Sequence, residues 1–276
     1  MHFSMTDDLL EATLLGWSVR SVLWTFFLSG LLGTVIETIY CAAKWGVLEC
    51  RNGVVHMPFG PIYGLAGTAM TLALTPLMGH LILAFLAAIV VGTAVEYVAG
   101  RFLQRLHLRF WDYSDEPFNL RGLICLRYAV AWGGLGVLLV LTMRESLDWI
   151  DAVVPRAPAD AFLTVLLLAY LLCAALTVPA LVRLDRRVVN LRAERDGGAP
   201  PYDLAAPGWR LVDTLVTERT LVYTYPHLDR VIEYCDLTGC REYRIALTPT
   251  ARARAAEWRG PRPSSSLPAL PAGRTV

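Results

Sequence analysis

Charge is scarce in this sequence. Only 18% of its 276 residues are Asp, Glu, Lys or Arg, and 55% are hydrophobic. A soluble domain of this length carries about a quarter charged residues, so an ordinary water-soluble domain is excluded. A basic surplus is missing as well. The net charge is +1, which removes the electrostatic case for nucleic acid as a partner.

Catalytic signatures are also lacking. No G-x-x-x-x-G-K-[ST] loop occurs, so the chain is not expected to hydrolyse ATP by that route. The GGLG at 133–136 lies inside an apolar run and reads as helix packing. Neither an H-E-x-x-H helix nor a G-x-S-x-G elbow is present. The histidines, His2, His56, His80, His107 and His227, are scattered. No metal, cofactor or enzymatic activity is expected. None of Cys41, Cys50, Cys125, Cys173, Cys235 and Cys240 forms a C-x-x-C pair; all six are expected as free thiols, some acting as small packing residues. A basic leader is missing too. The first charges are Asp7, Asp8 and Glu11, and the apolar run that follows is too long for a signal peptide.

What is present are apolar blocks of about 20 residues, the length that spans a bilayer as helix. Five spans are expected: Val19–Ala43, Ile62–Met78, Leu81–Leu103, Leu123–Met143 and Ala161–Val182. The chain thus reads as an all-α polytopic membrane protein. Residues 1–18 form a short N-terminal segment, 19–183 the membrane domain, 184–255 a tail and 256–276 a disordered end rich in Pro and Ser. With alternating connections, Lys44, Arg51, Arg101, Arg105, Arg109, Arg121, Arg183, Arg186, Arg187, Arg192 and Arg195 share one side, eleven residues against Arg20, Arg144 and Arg156 on the other. The positive-inside rule then puts the N-terminus outside and the C-terminus in the cytoplasm. Within the tail, 196–208 reads as a linker and Trp209–Val222 as a surface helix. Residues 231–246 read as a β-hairpin turning at Thr238–Gly239, with complementary cross-strand pairs such as Asp236 with Arg241.

Two stretches share one wording. Residues 33–37 read GTVIE and residues 92–96 read GTAVE, each inside an apolar run and each ending in a glutamate. Spans one and three run in the same direction, and each is followed by a long loop and a returning helix. This predicts two parallel-repeated helical hairpins plus a fifth helix, a building plan known from transporters. Ser29, Gly33, Glu37 and Cys41 recur every four residues, as do Ala84, Ala88, Gly92, Glu96 and Gly100. Each glutamate therefore sits on a stripe of small residues, where membrane helices approach closely, and faces protein. By helical rise, Glu96 lies about 7–8 Å inward of Arg101 and Glu37 roughly 10 Å inward of Lys44. Arg127, about 9 Å inward of Arg121 by the same measure, is the expected partner for either carboxylate. Such a Glu37, Glu96 and Arg127 cluster reads as a polar binding site or as a structural pin; intramembrane charges favour the first.

Two loops are too specific to be spacers. The first, ECRNGVVHMPFGPIYGLAG, holds Gly53, Pro58, Gly60, Pro61 and Gly64 among aromatic residues and is expected to fold back against the bundle. The second, RFWDYSDEPFNLRGLICL, offers Trp111, Tyr113 and Phe118 to the bilayer interface and carries Asp112, Asp115 and Glu116 among Arg109 and Arg121 for local ion pairs.

An acidic GTxxE helix, then R-N-G with G-P-I-Y-G, a second acidic helix, and W-D-Y-S with F-N-L-R-G-x-I-C-L together resemble the type IV ABC-transporter membrane-subunit family. The resemblance covers about residues 21–143. It rests on Glu37, Arg51, Gly60, Pro61, Tyr63, Gly64, Glu96, Trp111, Asp112, Tyr113, Ser114, Asn119 and Gly122, with Arg121 beside them, and departs at Val54–Met57. It implies a permease-like protein of the bacterial inner membrane. The partners expected are the lipid bilayer and either a separate ATPase subunit or a second copy of the chain. The rival expectation is a membrane scaffold or regulator that docks partners through its loops and tail. A third is an intramembrane enzyme using the two carboxylates as acid and base.

Overall fold

The computed structural model describes residues 10–106, 108–226, 228–240 and 245–246. Four helices are long and apolar enough to cross a membrane: α1 (Val19–Trp45), α3 (Leu81–Arg105), α4 (Leu126–Val153) and α5 (Arg156–Arg195). Between α1 and α3 lies α2 (Pro61–Leu74), followed by a 3-10 turn at Thr75–Leu77. At 14 residues, α2 is about 21 Å long, short of the ~30 Å hydrocarbon core. Its limits are set by proline at both ends. Pro61 opens it where its missing N–H costs nothing, and Pro76 falls in the 3-10 turn that closes it. The expected five long spans are thus four long helices and one short one.

Local chemistry fixes the ends of α1. Ser18 caps its start by accepting from the Ser21 N–H at 3.1 Å, and Gly46 closes it in the left-handed region at φ 69°. The outward faces are apolar. Ile39, Ile82, Val90, Val98, Val165 and Leu172 are all more than 60% exposed. A continuous apolar exterior of this kind suits lipid, not water.

Inside the bundle, α1 packs most extensively on α2, and α3 on α4. The buried residues of α3 are Ala84, Ala88, Gly92, Glu96 and Gly100, the whole of the expected small-residue stripe. On α5, Asp160 receives Arg20 of α1 in a buried two-pronged ion pair, at 2.5 Å and 2.6 Å. Deeper along α1, Phe27 makes edge contacts with Phe59 and Tyr170.

The 40 residues of α5 extend it to about 60 Å, and its second half packs against the two loops and the tail. Thr217 accepts from the Thr220 N–H, and this cap divides the expected surface helix into α6 (Pro207–Leu215) and α7 (Glu218–Thr224). Helix α8 (Asp229–Thr238) stands where the first strand of the hairpin was expected. Gly239 is left-handed at φ 70° and closes that helix rather than turning a hairpin, a conformation that serves either purpose. Tyr225, Leu228, Val231 and Cys235 are buried against Leu181, Leu184 and Val188 of α5. Cys235 and Cys240 form a disulfide, so two of the six expected free thiols are paired. Ile245 and Ala246 pair antiparallel with Leu48 and Val47 in the loop after α1. Residues 241–244 of the expected hairpin, and all of 256–276, lie outside the described residues.

Candidate functional site

The two GTxxE stretches build the same device twice. On α1, Gly33 leaves room for the ring of Tyr63, which lies so close that a β-carbon there would fall 2.2 Å from it. One turn further on, Glu37 accepts the Tyr63 hydroxyl hydrogen at 2.9 Å. On α3, Gly92 makes the same room for Trp132, where a β-carbon would fall 2.6 Å from the indole. One turn further on, Glu96 accepts the Trp132 indole N–H at 3.2 Å. In each case the glycine admits an aromatic ring from a neighbouring helix, and the glutamate takes that ring's polar hydrogen. The two rings meet, with centroids 5.9 Å apart. A continuous path therefore runs from Glu37 through Tyr63 and Trp132 to Glu96.

Each carboxylate has a second partner from the loop motifs. The Arg51 guanidinium approaches Glu37 at 3.7 Å while also binding Glu49. Tyr113 donates its hydroxyl hydrogen to Glu96 at 2.9 Å. Burial, and then the Glu96 carboxylate beside it, hold the Tyr113 phenol far above its ordinary pKa, so it stays a donor. Glu96 is 4% exposed.

Arg127 is not the partner of either glutamate. It binds Glu116 at 3.3 Å and the Tyr40 hydroxyl at 3.3 Å, with its side chain 54% exposed. The reason is local. Arg121 and Gly122 adopt left-handed φ values of 57° and 68°, and Asn119–Leu120 pairs with Ile124–Cys125 as a short ribbon. The helix therefore begins only at Leu126. Arg127 stands in its first turn, at the mouth of the site, and Trp132 takes the inner position.

The other family-motif residues hold the two loops in shape. The Gly60 N–H bonds to the Gly30 carbonyl at 3.1 Å and to the Thr34 hydroxyl at 3.0 Å. A β-carbon on Gly60 would meet Thr34 and Tyr63 at 2.8 Å. Pro61 packs beside Gly53, and Gly64 admits Phe26. In the second loop Asp112 accepts from the Ser114 N–H and hydroxyl and from Arg109. Asn119 donates to the carbonyls of Ser114 and Glu116 and accepts from the Gly122 N–H. The Trp111 indole bonds to the Leu123 carbonyl at 2.8 Å. Of the expected local ion pairs, Arg109–Asp112 forms, whereas Arg121 reaches the Tyr97 hydroxyl at 3.4 Å. Both loops are thus braced frameworks, which present Arg51 and Tyr113 to the glutamates and set the start of α2, where Tyr63 stands.

A cleft of about 2580 Å³ opens between the five helices α1–α5 and the two loops. Glu37, Glu96, Arg51, Tyr63, Tyr113 and Trp132 stand on its wall, and Arg127 and Glu116 are nearer its mouth. Among the described residues no cluster of His, Cys, Asp and Glu is arranged to hold a metal. Trp132 and Glu49 are absent from the motif-based expectation. The one available signal for Trp132 was a large indole set among the small residues of AWGGLG, opposite the glycine stripe of α3.

No curated protein and no solved structure matches the chain. Residues 24–178 match a family model, a stretch that takes in both GTxxE helices, both loops and most of the apolar part of α5. With more than half of its length in that match, the chain belongs to the family described as Putative ABC-transporter type IV.

Proposed function

We propose that the chain is the membrane-embedded, permease-type subunit of a transporter, with the Glu37–Glu96 cleft as its solute site and ATP hydrolysis supplied by a separate chain. The observation that carries this is the doubled device. Two carboxylates in apolar helices are each fastened to an aromatic residue, and both line one cleft. Intramembrane carboxylates are costly, and their usual role is in solute or ion pathways. Family membership favours an ATP-driven system, and no phosphate-binding loop occurs in the sequence.

In this reading α2 with its 3-10 turn is the short second of five spans. The pairs α1–α2 and α3–α4 are the two parallel repeats, and α5 is the fifth span. The N-terminus is outside and the loops and tail are cytoplasmic, in a bacterial inner membrane. The cleft is a binding site, not a catalytic one. Purification in mild detergent should bring down an ATPase subunit. In proteoliposomes holding both chains, Glu96→Gln should abolish ATP-driven flux while the protein remains folded. Equal loss of folding would make Glu96 a structural pin.

A second reading, a membrane scaffold or regulator, is favoured by one feature: the tail grips both loops. Tyr225 bonds to the Gly53 carbonyl at 3.3 Å and packs edge-on against Phe110. Recovery of a cell-envelope or signalling partner and no ATPase would favour it.

A further inference from the structure

Glu96 is held by neutral groups alone. Its two hydrogen-bond donors are Tyr113 and Trp132, and among the described residues no arginine or lysine forms an ion pair with it. Two hydrogen bonds occupy about half of a carboxylate's acceptor sites. The basic groups nearby are engaged elsewhere. Arg51 is held by Glu49 and Glu37, Arg109 by Asp112, and Arg127 by Glu116, while Arg121 donates to the Tyr97 hydroxyl and Lys44 lies over the Tyr40 and Trp45 rings. A carboxylate so deep in an apolar helix is costly to ionise without a positive charge beside it.

The wall around Glu96 is aromatic. Tyr63 and Trp132 are 5.9 Å apart, and Tyr113 stacks on Tyr128 at 4.6 Å. Aromatic faces attract cations, most strongly where water is excluded.

A second, independent observation comes from the hydroxyls. On α1, Thr25, Thr34 and Thr38 each bond to the carbonyl one turn back. Ser29 does not. Its hydroxyl, which lies against Gly67 of α2, and that of Tyr170, whose ring packs on Phe26 and Phe27, have no hydrogen-bond partner, and both residues are among those around the cleft. Buried polar groups are seldom left so. A bare metal ion is a poor fit, since a cleft of about 2580 Å³ is far larger than one and no metal-ligating cluster is present among the described residues.

We infer that the cleft binds an organic monocation, its charge set against Glu96 and its apolar body against Trp132, Tyr63 and Tyr113. This names the substrate class for the transport reading, and rests on it in taking the cleft as the solute site.

The test uses the full chain in detergent micelles or nanodiscs. The probes are tetraphenylphosphonium and tetraphenylborate, which share one shape and carry opposite charge, read by equilibrium dialysis against protein-free controls and by tryptophan quenching. Saturable binding of the cation, at least about tenfold tighter than that of the anion, is expected. Glu96→Gln should lower cation affinity by about tenfold or more with the melting temperature kept. Equal affinity for the two ions, or unchanged cation affinity in Glu96→Gln, overturns the inference. If that variant does not fold, the two-probe comparison on the wild-type chain decides alone. Cation binding without ATP-driven flux would keep the inference and remove the transport reading. Flux in proteoliposomes with no charge preference in binding would do the reverse.

Discussion

Tyr63 lies across Gly33 and gives its hydroxyl hydrogen to Glu37, one helical turn away, at 2.9 Å. The glycine and the glutamate of the first GTxxE stretch therefore act on one side chain. Trp132 stands in the same relation to Gly92 and Glu96. The rings of Tyr63 and Trp132 lie side by side, with centroids 5.9 Å apart.

Gly33→Ala and Gly92→Ala should each push the opposing ring off its glutamate. The new methyl would fall 2.2 Å from Tyr63 and 2.6 Å from Trp132 respectively, and neither ring can retreat without losing its hydrogen bond. Forced overpacking of this kind costs about 1–3 kcal/mol. Thermal unfolding in micelles should show the loss, and Gly92→Ala should also shift the tryptophan emission. Gly134→Ala is the control, because its added methyl meets open space. Equal melting temperatures for all three variants would rule out the ring-over-glycine arrangement.

Arg51 and Arg127 should behave differently despite their equal charge. Arg51 is 10% exposed at its side chain and joins Glu37 to the nearly buried Glu49. Breaking a buried ion pair from one side costs about 3–5 kcal/mol, so Arg51→Gln should lower the melting temperature steeply. Arg127→Gln removes an exposed pair at the mouth, and exposed pairs contribute little. Its melting curve should overlay the wild type. The opposite ranking would restore Arg127 as the partner of the glutamates.

How much of this was legible depended on what each residue's neighbours in sequence could say. The small-residue stripe of α3 was visible because its fourfold recurrence needs only helical geometry, and every member is buried. The stripe of α1 was visible for the same reason, though Gly33 and Glu37 are only half-buried. Helical rise from Arg121 sets Arg127 too deep, because the left-handed Arg121 and Gly122 delay the start of the helix to Leu126. Trp132 is not legible in the sequence, since a single indole in an apolar span says nothing of its hydrogen-bond partner until the helix pairing is known. In the tail, Thr238–Gly239 fits a hairpin turn and a helix end equally. The burial of Val231, Tyr234 and Cys235 in one cluster with Leu184 and Val188 of α5 decides it, a contact distant in sequence.

Alkali should loosen the tail before the membrane bundle. Burial, and then the hydrogen bond to Glu218, push the Tyr234 phenol from 10.0 to about 12. Burial raises Tyr225 as well. A raised pKa on an acid means that the folded tail favours the neutral phenol. That contribution is complete below pH 10, the unfolded value, and is lost as pH rises through about 12. Tyrosinate absorbance should appear together with exposure of the tail to protease in that window. Loss of the tail fold below pH 9 would require some other group.

The last prediction concerns the hold of the tail on the site. Tyr225 is fully buried, packs edge-on against Phe110 of the second loop and bonds to Gly53 of the first. The Val55 N–H is tied to Thr177 of α5 at 3.0 Å, and Val55 shares a buried cluster with Leu108 and Tyr225. The loops so gripped are those that supply Arg51 to Glu37 and Tyr113 to Glu96. Truncating a large buried aromatic costs about 3–5 kcal/mol, so Tyr225→Ala should release both loops together. Amide exchange should quicken at 51–60 and at 108–114 while the central turns of α3 and α4 stay protected. Tyr225→Phe keeps the ring and loses the hydroxyl's bonds to Gly53 and Thr177, so it should loosen the first loop and leave the second close to wild type. Release of the first loop alone in Tyr225→Ala would mean that the contact with Phe110 does not hold the second, and that the two glutamate sites answer to the tail separately.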